Sequence, residues 1–198
     1  MKKINYSLRI GIVGNKELIK EIFLLVLKSS AIEFDLVEGI YEVFLVYENI
    51  PIKSKIFLVE NLEELVTNFE RIEKLDVIIL TVDLFDSNSI YQYYKNIIEE
   101  FNETYYFQGI SILVGIDFIK IFKKRSTENL RVSRYSLEDI AKYLNLIYCY
   151  EISNKNEDVM EIYKKIFKDF LFRFQFSSPD LYEQARSYGK ALEKGKKG

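Results

Sequence analysis

The stretch Leu75-Asp-Val-Ile-Ile-Leu-Thr-Val-Asp-Leu-Phe-Asp-Ser-Asn-Ser-Ile90 is the clearest indication of this protein's architecture. Its segment from Val77 to Val82 contains one threonine and no charge, and it is rich in β-branched residues. Such a run is typical of a central strand that is buried on both faces, as in a parallel sheet. The run ends at Asp83, and Asp86-Ser-Asn-Ser89 then supplies helix-capping side chains. A buried strand followed by a capped helix is one half of a βαβ unit.

Other strand-like runs lie on both sides of this stretch, and amphipathic segments separate most of them. The connection Glu48-Asn49-Ile50-Pro51 is so short that the two runs it joins must be antiparallel. The order βα–ββα–βα–βα–βα predicts an α/β protein with a doubly wound, six-stranded, mostly parallel sheet. One antiparallel strand lies near an edge, and helices lie on both faces. The runs are Leu8–Gly14, Tyr41–Tyr47, Ile52–Val59, Val77–Val82, Gly109–Gly115 and Ile147–Ile152.

Helical spacing of apolar residues predicts the intervening helices. The first spans roughly Glu17 to Ser29, with Leu18, Ile19, Ile22, Phe23, Leu25 and Val26 on its apolar face. Others are predicted through 62–72, 90–101, 137–144 and 159–170.

With 198 residues, the chain is long enough for one domain with a substantial core. We expect that domain to cover residues 1–175. Ser178-Pro179-Asp180 can start a further helix, and the chain ends in Lys-Gly-Lys-Lys-Gly198. Residues 176–198 are therefore predicted to form a helical, basic tail.

Composition excludes several functions. A net charge of −2 provides no electrostatic case for binding nucleic acid. There is no histidine and only one cysteine, Cys149, which excludes zinc sites built from these residues and an intrachain disulfide. No apolar run approaches the ~18 residues of a membrane span, and Met1–Ser7 leads directly into a strand, so we expect neither a transmembrane helix nor a signal peptide. These features predict a cytoplasmic protein.

Three segments resemble a Ras-like small GTPase, and the resemblance covers most of residues 8–172. Val77–Asp83 with the following Asp86-Ser-Asn-Ser-Ile90 is similar to the family's fourth strand and the start of its next helix. Ile112-Leu-Val-Gly115 resembles the strand before the guanine-specifying Asn-Lys-x-Asp motif. Glu151-Ile-Ser-Asn-Lys155 is similar to the Glu-Thr-Ser-Ala-Lys loop that touches the base. The resemblance implies a P-loop NTPase fold and, if nucleotide binding were retained, contacts from Gly14, Lys16, Asp117, Ser153, Asn154 and Lys155.

The motifs that carry the family's chemistry are missing. A phosphate loop, Gly-x-x-x-x-Gly-Lys-[Ser/Thr], wraps phosphates in backbone N–H groups and places a hydroxyl on Mg²⁺. Here Gly14-Asn15-Lys16-Glu17 leads straight into the helix without a Lys-Ser or Lys-Thr pair. Glu60-Asn61-Leu62-Glu63-Glu64 replaces the Asp-x-x-Gly-Gln motif and is typical of an acidic first helical turn. Asp117 is the sole counterpart of Asn-Lys-x-Asp.

These losses weaken GTP binding severely. Hydrogen bonds that involve charged groups contribute about 1.5–3 kcal/mol each. Losing the lysine, the Mg²⁺ hydroxyl and a base-reading aspartate removes roughly 5–8 kcal/mol, or on the order of four to six decades in affinity. We therefore expect no cofactor, no metal and no catalytic residue.

The leading hypothesis is a catalytically inactive pseudo-GTPase that acts as a protein–protein interaction or scaffold module. An inactive member of the family that serves as a structural subunit is a precedent. The expected partner surfaces are the hairpin Tyr41–Val59, the helix Leu62–Lys74 and the basic loop Lys120–Arg125. The family's lipid anchor is missing, because Cys149 lies in a predicted strand.

Two alternatives remain open. One is a divergent GTPase that binds GTP or GDP with Mg²⁺ through Lys16, Asp117 and Lys155. The other is a different doubly wound regulatory domain, receiver-like with Asp83 as phosphoacceptor, or flavodoxin-like. The receiver reading lacks the acidic pair after the first strand, where Gly14-Asn15 stands.

Overall fold

The computed structural model describes residues 3–67, 75–85, 107–123 and 131–195. Its strands are β1 (Tyr6–Val13), β2 (Glu33–Val37), β3 (Ile40–Tyr47), β4 (Ile50–Val59), β5 (Val77–Asp83), β6 (Ile110–Ile116) and β7 (Tyr148–Ile152). Helix α1 runs without a break through Lys16–Ile19, Lys20–Leu24 and Leu25–Ser30. The other helices are α2 (Leu62–Thr67), α3 (Phe118–Ile121), α4 (Arg134–Tyr143), α5 (Lys155–Ser177) and α6 (Pro179–Gly195).

The described strands form one mixed sheet in the order β2-β3-β4-β1-β5-β6-β7. Strand β3 pairs antiparallel with both of its neighbours, while the pairs from β4 through β1, β5, β6 and β7 are all parallel. Among these strands β3 alone therefore runs against the others. The predicted α/β class, the mostly parallel sheet and the antiparallel strand near an edge are confirmed. The predicted number of six strands is wrong, because the sheet has 7.

The additional strand is β2, at the edge beyond β3. Its residues Glu33-Phe-Asp-Leu36 alternate between polar and apolar, which is typical of a half-buried strand, but the prediction of six strands missed this short pattern. Pairing with β3 stabilises the strand, although acidic residues are poor strand formers. The turn Glu38-Gly39 has φ of 51° and 83°, and positive φ at both central residues defines the type I′ turn that matches the twist of a tight hairpin.

The hairpin between β3 and β4 is also tighter than predicted. Its turn is Glu48-Asn49, with φ of 49° and 66°, and β4 already begins at Ile50. Pro51 therefore lies within β4, opposite Val46 of β3. This position tolerates a residue without an N–H group because the pairing of β4 with β1 begins only at Ile52.

Two apolar clusters lie on opposite faces of the sheet, since successive strand residues point to alternate faces. In β5, Val77 and Ile79 belong to one cluster, whereas Ile78, Leu80 and Val82 belong to the other. Helices α1, α5 and α6 contribute buried residues to the first cluster, and α2 and α4 contribute to the second. The described helices thus cover both faces.

Helix α1 buries four of the six residues predicted for its apolar face, namely Ile19, Ile22, Phe23 and Val26, but not Leu25. Its middle segment, Lys20–Leu24, is π-helical, and a π turn holds one extra residue and rotates the helix that follows it. Leu24 and Leu27 are consequently buried, while Leu25 is 50% exposed.

The tail contains helix α6, which lies against the β3–β4 hairpin. Ala185 is fully buried, and an added Cβ at Gly189 would lie 1.9 Å from the carbonyl oxygen of Asn49. Only glycine allows α6 to approach the turn so closely.

Several predictions lie outside the described residues: the caps at 86–89, the helix through 90–101, the end of the helix through 62–72, the basic residues 124–125 and the terminus 196–198. No helix within the described ranges combines the length and the apolar character that crossing a membrane requires.

Candidate functional site

The candidate site lies where the parallel strands end. Gly14 follows β1, Glu60 follows β4, Asp117 follows β6 and Ser153 follows β7. Because these strands are parallel, the four residues lie at one edge of the sheet, which we call the carboxyl edge. Open α/β sheets bind their ligands at this edge. All the residues predicted for nucleotide binding lie at or next to it.

The connection between β1 and α1 consists of Gly14 and Asn15 alone. Gly14 has φ of 144°, and its N–H donates to the carbonyl oxygen of Val59 over 2.9 Å. The side-chain oxygen of Asn15 accepts a hydrogen bond of 3.1 Å from the N–H of Leu18 and so caps the helix. Two of the backbone N–H groups that a phosphate loop would aim at its ligand are therefore used within the chain.

Thr81 of β5 fills the space beside Gly14. An added Cβ at Gly14 would lie 2.0 Å from Thr81 Oγ1 and 3.2 Å from Ile19 Cδ1. Thr81 is buried, and its hydroxyl donates to the carbonyl oxygen of Val13 over 2.7 Å. The Thr81 side chain of the neighbouring strand thus fills the space at the carboxyl end of β1.

Lys16 forms an ion pair with Glu64 of α2, with 2.6 Å between Nζ and Oε1. The other carboxylate oxygen of Glu64 accepts from the N–H of Glu60 over 2.9 Å, and Asn61 Oδ1 accepts from the N–H of Glu64 over 2.7 Å. Burial acts to raise the pKa of Glu64, but the hydrogen bonds from Lys16 and from the Glu60 N–H outweigh it and lower that pKa. The acidic first turn predicted at 60–64 therefore holds Lys16, the first residue of α1.

Asp117 is only 7% exposed and is held on two sides. One carboxylate oxygen accepts from the N–H of Lys120 over 2.9 Å and caps α3, and the other lies 3.5 Å from Nε of Arg131. The Arg131 guanidinium also pairs with Glu151 of β7. An arginine thus occupies the position on this carboxylate where the resemblance would place a guanine base.

The loop from Ser153 to Lys155 is bonded to its own helix and to α1. The N–H groups of Ser153 and Asn154 both donate to Asp158 Oδ2 over 2.7 Å. The Asn154 side chain accepts from the N–H of Asn156 over 3.3 Å. Lys155 Nζ lies 3.0 Å from Glu21 Oε1 of α1. Both backbone N–H groups that could face a base are therefore engaged with a carboxylate.

The structure brings the predicted residues to one edge but gives each an internal partner. The segments after β6 and β7 are also joined directly, because the N–H of Asp117 donates to the carbonyl oxygen of Ile152 over 2.9 Å. Sequence reasoning missed the partners Thr81, Arg131 and Asp158. Thr81 had a signal, since it is the one polar residue in the run Val77–Val82. Arg131 had none, because its two carboxylates are distant in the sequence.

Two other features could give the described ranges a chemical role, an acidic cluster that binds a metal ion or the single cysteine. No group of three or more cysteines and acidic residues there is arranged to hold a metal ion. Cys149 is half-buried, and burial raises its pKa to about 11. Its thiol is therefore protonated near neutral pH and is a weak nucleophile.

Neither a scan against protein-family models nor a search of curated proteins finds a match to this chain.

Proposed function

We propose that the protein is a small-GTPase-like domain that has lost nucleotide binding and acts as a protein-interaction or scaffold module. One observation carries this proposal: the connection between β1 and α1 has two residues, Gly14 and Asn15, and both are bonded within the chain. A phosphate cradle needs a longer loop with unengaged N–H groups. The proposal includes no enzymatic activity, no cofactor and no metal.

The strand arrangement supports the small-GTPase part of the proposal. When β2 is set aside, the remaining strands comprise a β3–β4 hairpin, then β1 at its side, then β5, β6 and β7 in chain order. A Ras-like domain likewise has its hairpin on one side of the first strand and its fourth strand on the other. We extend this arrangement to a doubly wound P-loop NTPase fold.

Magnitudes indicate which feature opposes nucleotide most. Lys16 and Lys155 take part in partly exposed ion pairs, which typically contribute about 0.2–1 kcal/mol each. Such pairs exchange readily for a phosphate. The short connection between β1 and α1 cannot rearrange around a phosphate in the same way, because a longer loop would require residues of β1 or α1 to unfold. The loop length therefore excludes nucleotide more strongly than the ion pairs do.

In this proposal the sheet and both apolar cores are kept and only the loops that would bind a ligand are lost. The remaining function then resides on the protein surface. We infer that this surface binds a protein rather than a nucleic acid, given the net charge of −2. We also place the module in the cytoplasm, which the single cysteine of the sequence favours.

The test is the nucleotide content of the native protein. Protein purified without added nucleotide is denatured, and the released small molecules are separated by chromatography. We expect no GDP or GTP, whereas a Ras-like protein that binds nucleotide tightly releases it stoichiometrically. Recovery of one guanine nucleotide per chain would refute the proposal.

A second candidate, a divergent GTPase, is favoured by the exposure of Lys16, whose side chain remains 38% accessible. Thermal unfolding with millimolar Mg²⁺-GTP separates the two candidates. We expect that adding Mg²⁺-GTP does not change the Tm of the natural protein. The same should hold for Lys16→Ala and for the control Lys168→Ala. A rise in Tm that disappears only in Lys16→Ala would favour the divergent GTPase.

A further inference from the structure

We propose that the edge strand β2 binds an extended segment of a partner protein that carries Lys or Arg at alternate positions and continues the sheet. This inference rests on the proposed function, because it identifies a binding surface of the interaction module. It concerns the strand that is absent from the six predicted strands.

The first argument is the unpaired backbone of β2. The sheet order places β2 at an edge, with β3 as its only strand neighbour in the described part of the chain. The two-residue turn makes Val37 and Ile40 a pair that exchanges both backbone hydrogen bonds, and such pairs alternate along an antiparallel ladder. Phe34 and Leu36 therefore direct their N–H and C=O groups away from β3. An exposed edge of this kind is a template for strand addition.

The second argument is the charge across the sheet face. Asp35 lies directly opposite Glu42 of β3, which in turn lies opposite Lys55 of β4. Glu42 is neutralised by Lys53 at 2.7 Å and Lys55 at 3.6 Å. Asp35 makes no hydrogen bond or ion pair with any described residue. The row of charges thus ends in an unneutralised carboxylate at the edge, and Glu33 repeats it two residues away.

These charges select the partner. Opposite charges that face each other across two strands stabilise the pairing, and like charges destabilise it. An added strand with Lys or Arg opposite Asp35 and opposite Glu33 would satisfy both carboxylates. Apolar residues between them would contact the face of Phe34 and of Leu36, whose side chain is 60% exposed.

A second copy of this chain is the less suitable occupant. In symmetric antiparallel pairing centred on Asp35, both Phe34 and Leu36 use their outward backbone groups. That arrangement sets Asp35 directly against Asp35 of the other copy, and like charges in this position are destabilising. The acidic residues of β2 therefore oppose self-association while attracting a basic strand.

The probe is a synthetic peptide, acetyl-Thr-Val-Lys-Val-Lys-Val-Thr-amide, titrated into the ¹⁵N-labelled protein near neutral pH. A second peptide carries N-methyl groups on its valines, which keeps the charge but removes the N–H groups that strand pairing needs. A third has Glu in place of Lys. We expect only the first peptide to bind at millimolar concentration and to slow hydrogen exchange at the amides of Phe34 and Leu36.

Two charge reversals locate the site. Asp35→Lys should weaken binding of the lysine peptide about tenfold, because an attractive cross-strand pair becomes a repulsive one. Asp139→Lys makes the same change of charge on α4, which packs against β6 and β7, and should leave binding unchanged. Both residues are exposed, so both variants should retain the fold.

Several outcomes would overturn the inference. They are no binding of the lysine peptide, equal binding of its N-methylated form, or equal weakening by both charge reversals. Slow exchange at Phe34 and Leu36 in a dimer without peptide would also do so, because it would assign β2 to a second copy. A portion of the same sample is denatured to measure nucleotide. Nucleotide in it refutes the proposed function, whereas empty protein that ignores the peptide refutes this inference alone.

Discussion

At the carboxyl edge, Lys16, Asp117 and Lys155 each contact an oppositely charged side chain, whereas at the β2 edge Asp35 contacts none in the described part of the chain. The two regions also use their backbone differently. Gly14 donates its N–H to Val59 at the carboxyl edge, while an edge strand leaves alternate backbone groups unpaired. The edge at which open α/β sheets bind ligands is thus internally bonded in this protein, and the unpaired groups lie on the edge strand β2.

This difference bears on both the stability of the protein and its capacity to bind a partner. Groups that are bonded within the chain contribute to stability and are lost to ligands. Groups left unpaired at an edge contribute little to stability and remain available to a partner. Substitutions at the two edges should therefore differ in how strongly they affect folding.

The largest effect should come from adding one methyl group at each edge. Gly14 and Gly39 both have positive φ, of 144° and 83°, but only the first is crowded: a Cβ would meet Thr81 Oγ1 at 2.0 Å, and at Gly39 it would meet nothing within 4 Å. We expect Gly14→Ala to reduce the free energy of unfolding by about 3 kcal/mol. Gly39→Ala should cost about 1 kcal/mol, from backbone strain alone. Urea unfolding measures both.

The double variant Gly14→Ala with Thr81→Ala tests the cause. Removing the threonine hydroxyl opens space for the new methyl group, so the double variant should be more stable than the sum of the two single changes predicts. Equal costs at Gly14 and Gly39, or strict additivity, would show that Thr81 does not close the end of β1.

A smaller effect is expected from Glu64→Gln, which removes the partner of Lys16. The pair is partly exposed, so the loss near neutral pH should be about 0.5 kcal/mol. Because folding lowers the pKa of Glu64 from its usual value of 4.5, this contribution is present above that value and is lost as the pH falls through the lowered pKa. The unfolding free energies of the two proteins should then converge at acidic pH.

Glu17→Gln is the matched control for the Lys16–Glu64 pair. Glu17 is also an acidic residue at the carboxyl edge, but it makes no ion pair with any described residue. A pH-dependent difference as large in Glu17→Gln as in Glu64→Gln would mean that general charge, rather than this pair, produces it.

The smallest effect should appear at the β2 edge and have the opposite sign. Asp35→Lys replaces a like-charged pair with Glu42 by an attractive one. We expect a gain of about 0.5 kcal/mol in the free energy of unfolding. A loss of stability on this change would indicate that Asp35 supports the fold, and it would weaken the case for an open edge. Asp139→Lys makes the same change in net charge but loses the exposed ion pair of Asp139 with Lys142, so it should not gain stability.

Most of the sheet was predicted from patterns that are confined to single short segments of the sequence. The uncharged, β-branched run Val77–Val82 is typical of a strand buried on both faces, and the short segment after Tyr47 indicates a hairpin. Strand β2 was missed although Glu33-Phe-Asp-Leu36 alternates polar and apolar residues, because the run is short and its pairing with β3 supplies the stability. Apolar spacing placed α1 and most of its buried face correctly, but not Leu25, which the π turn at Lys20–Leu24 shifts to the surface.

The sequence by itself established what the candidate site lacks: a long phosphate loop and a Lys-Ser or Lys-Thr pair at its end. These are local features, so their absence is readable directly. The tertiary structure alone decided which partners the residues of the site have, because Lys16 meets Glu64 and Asp117 meets Arg131 only after distant segments come together. It also decided that an unpaired strand edge lies at β2, since an edge is a property of the whole sheet and not of any one strand.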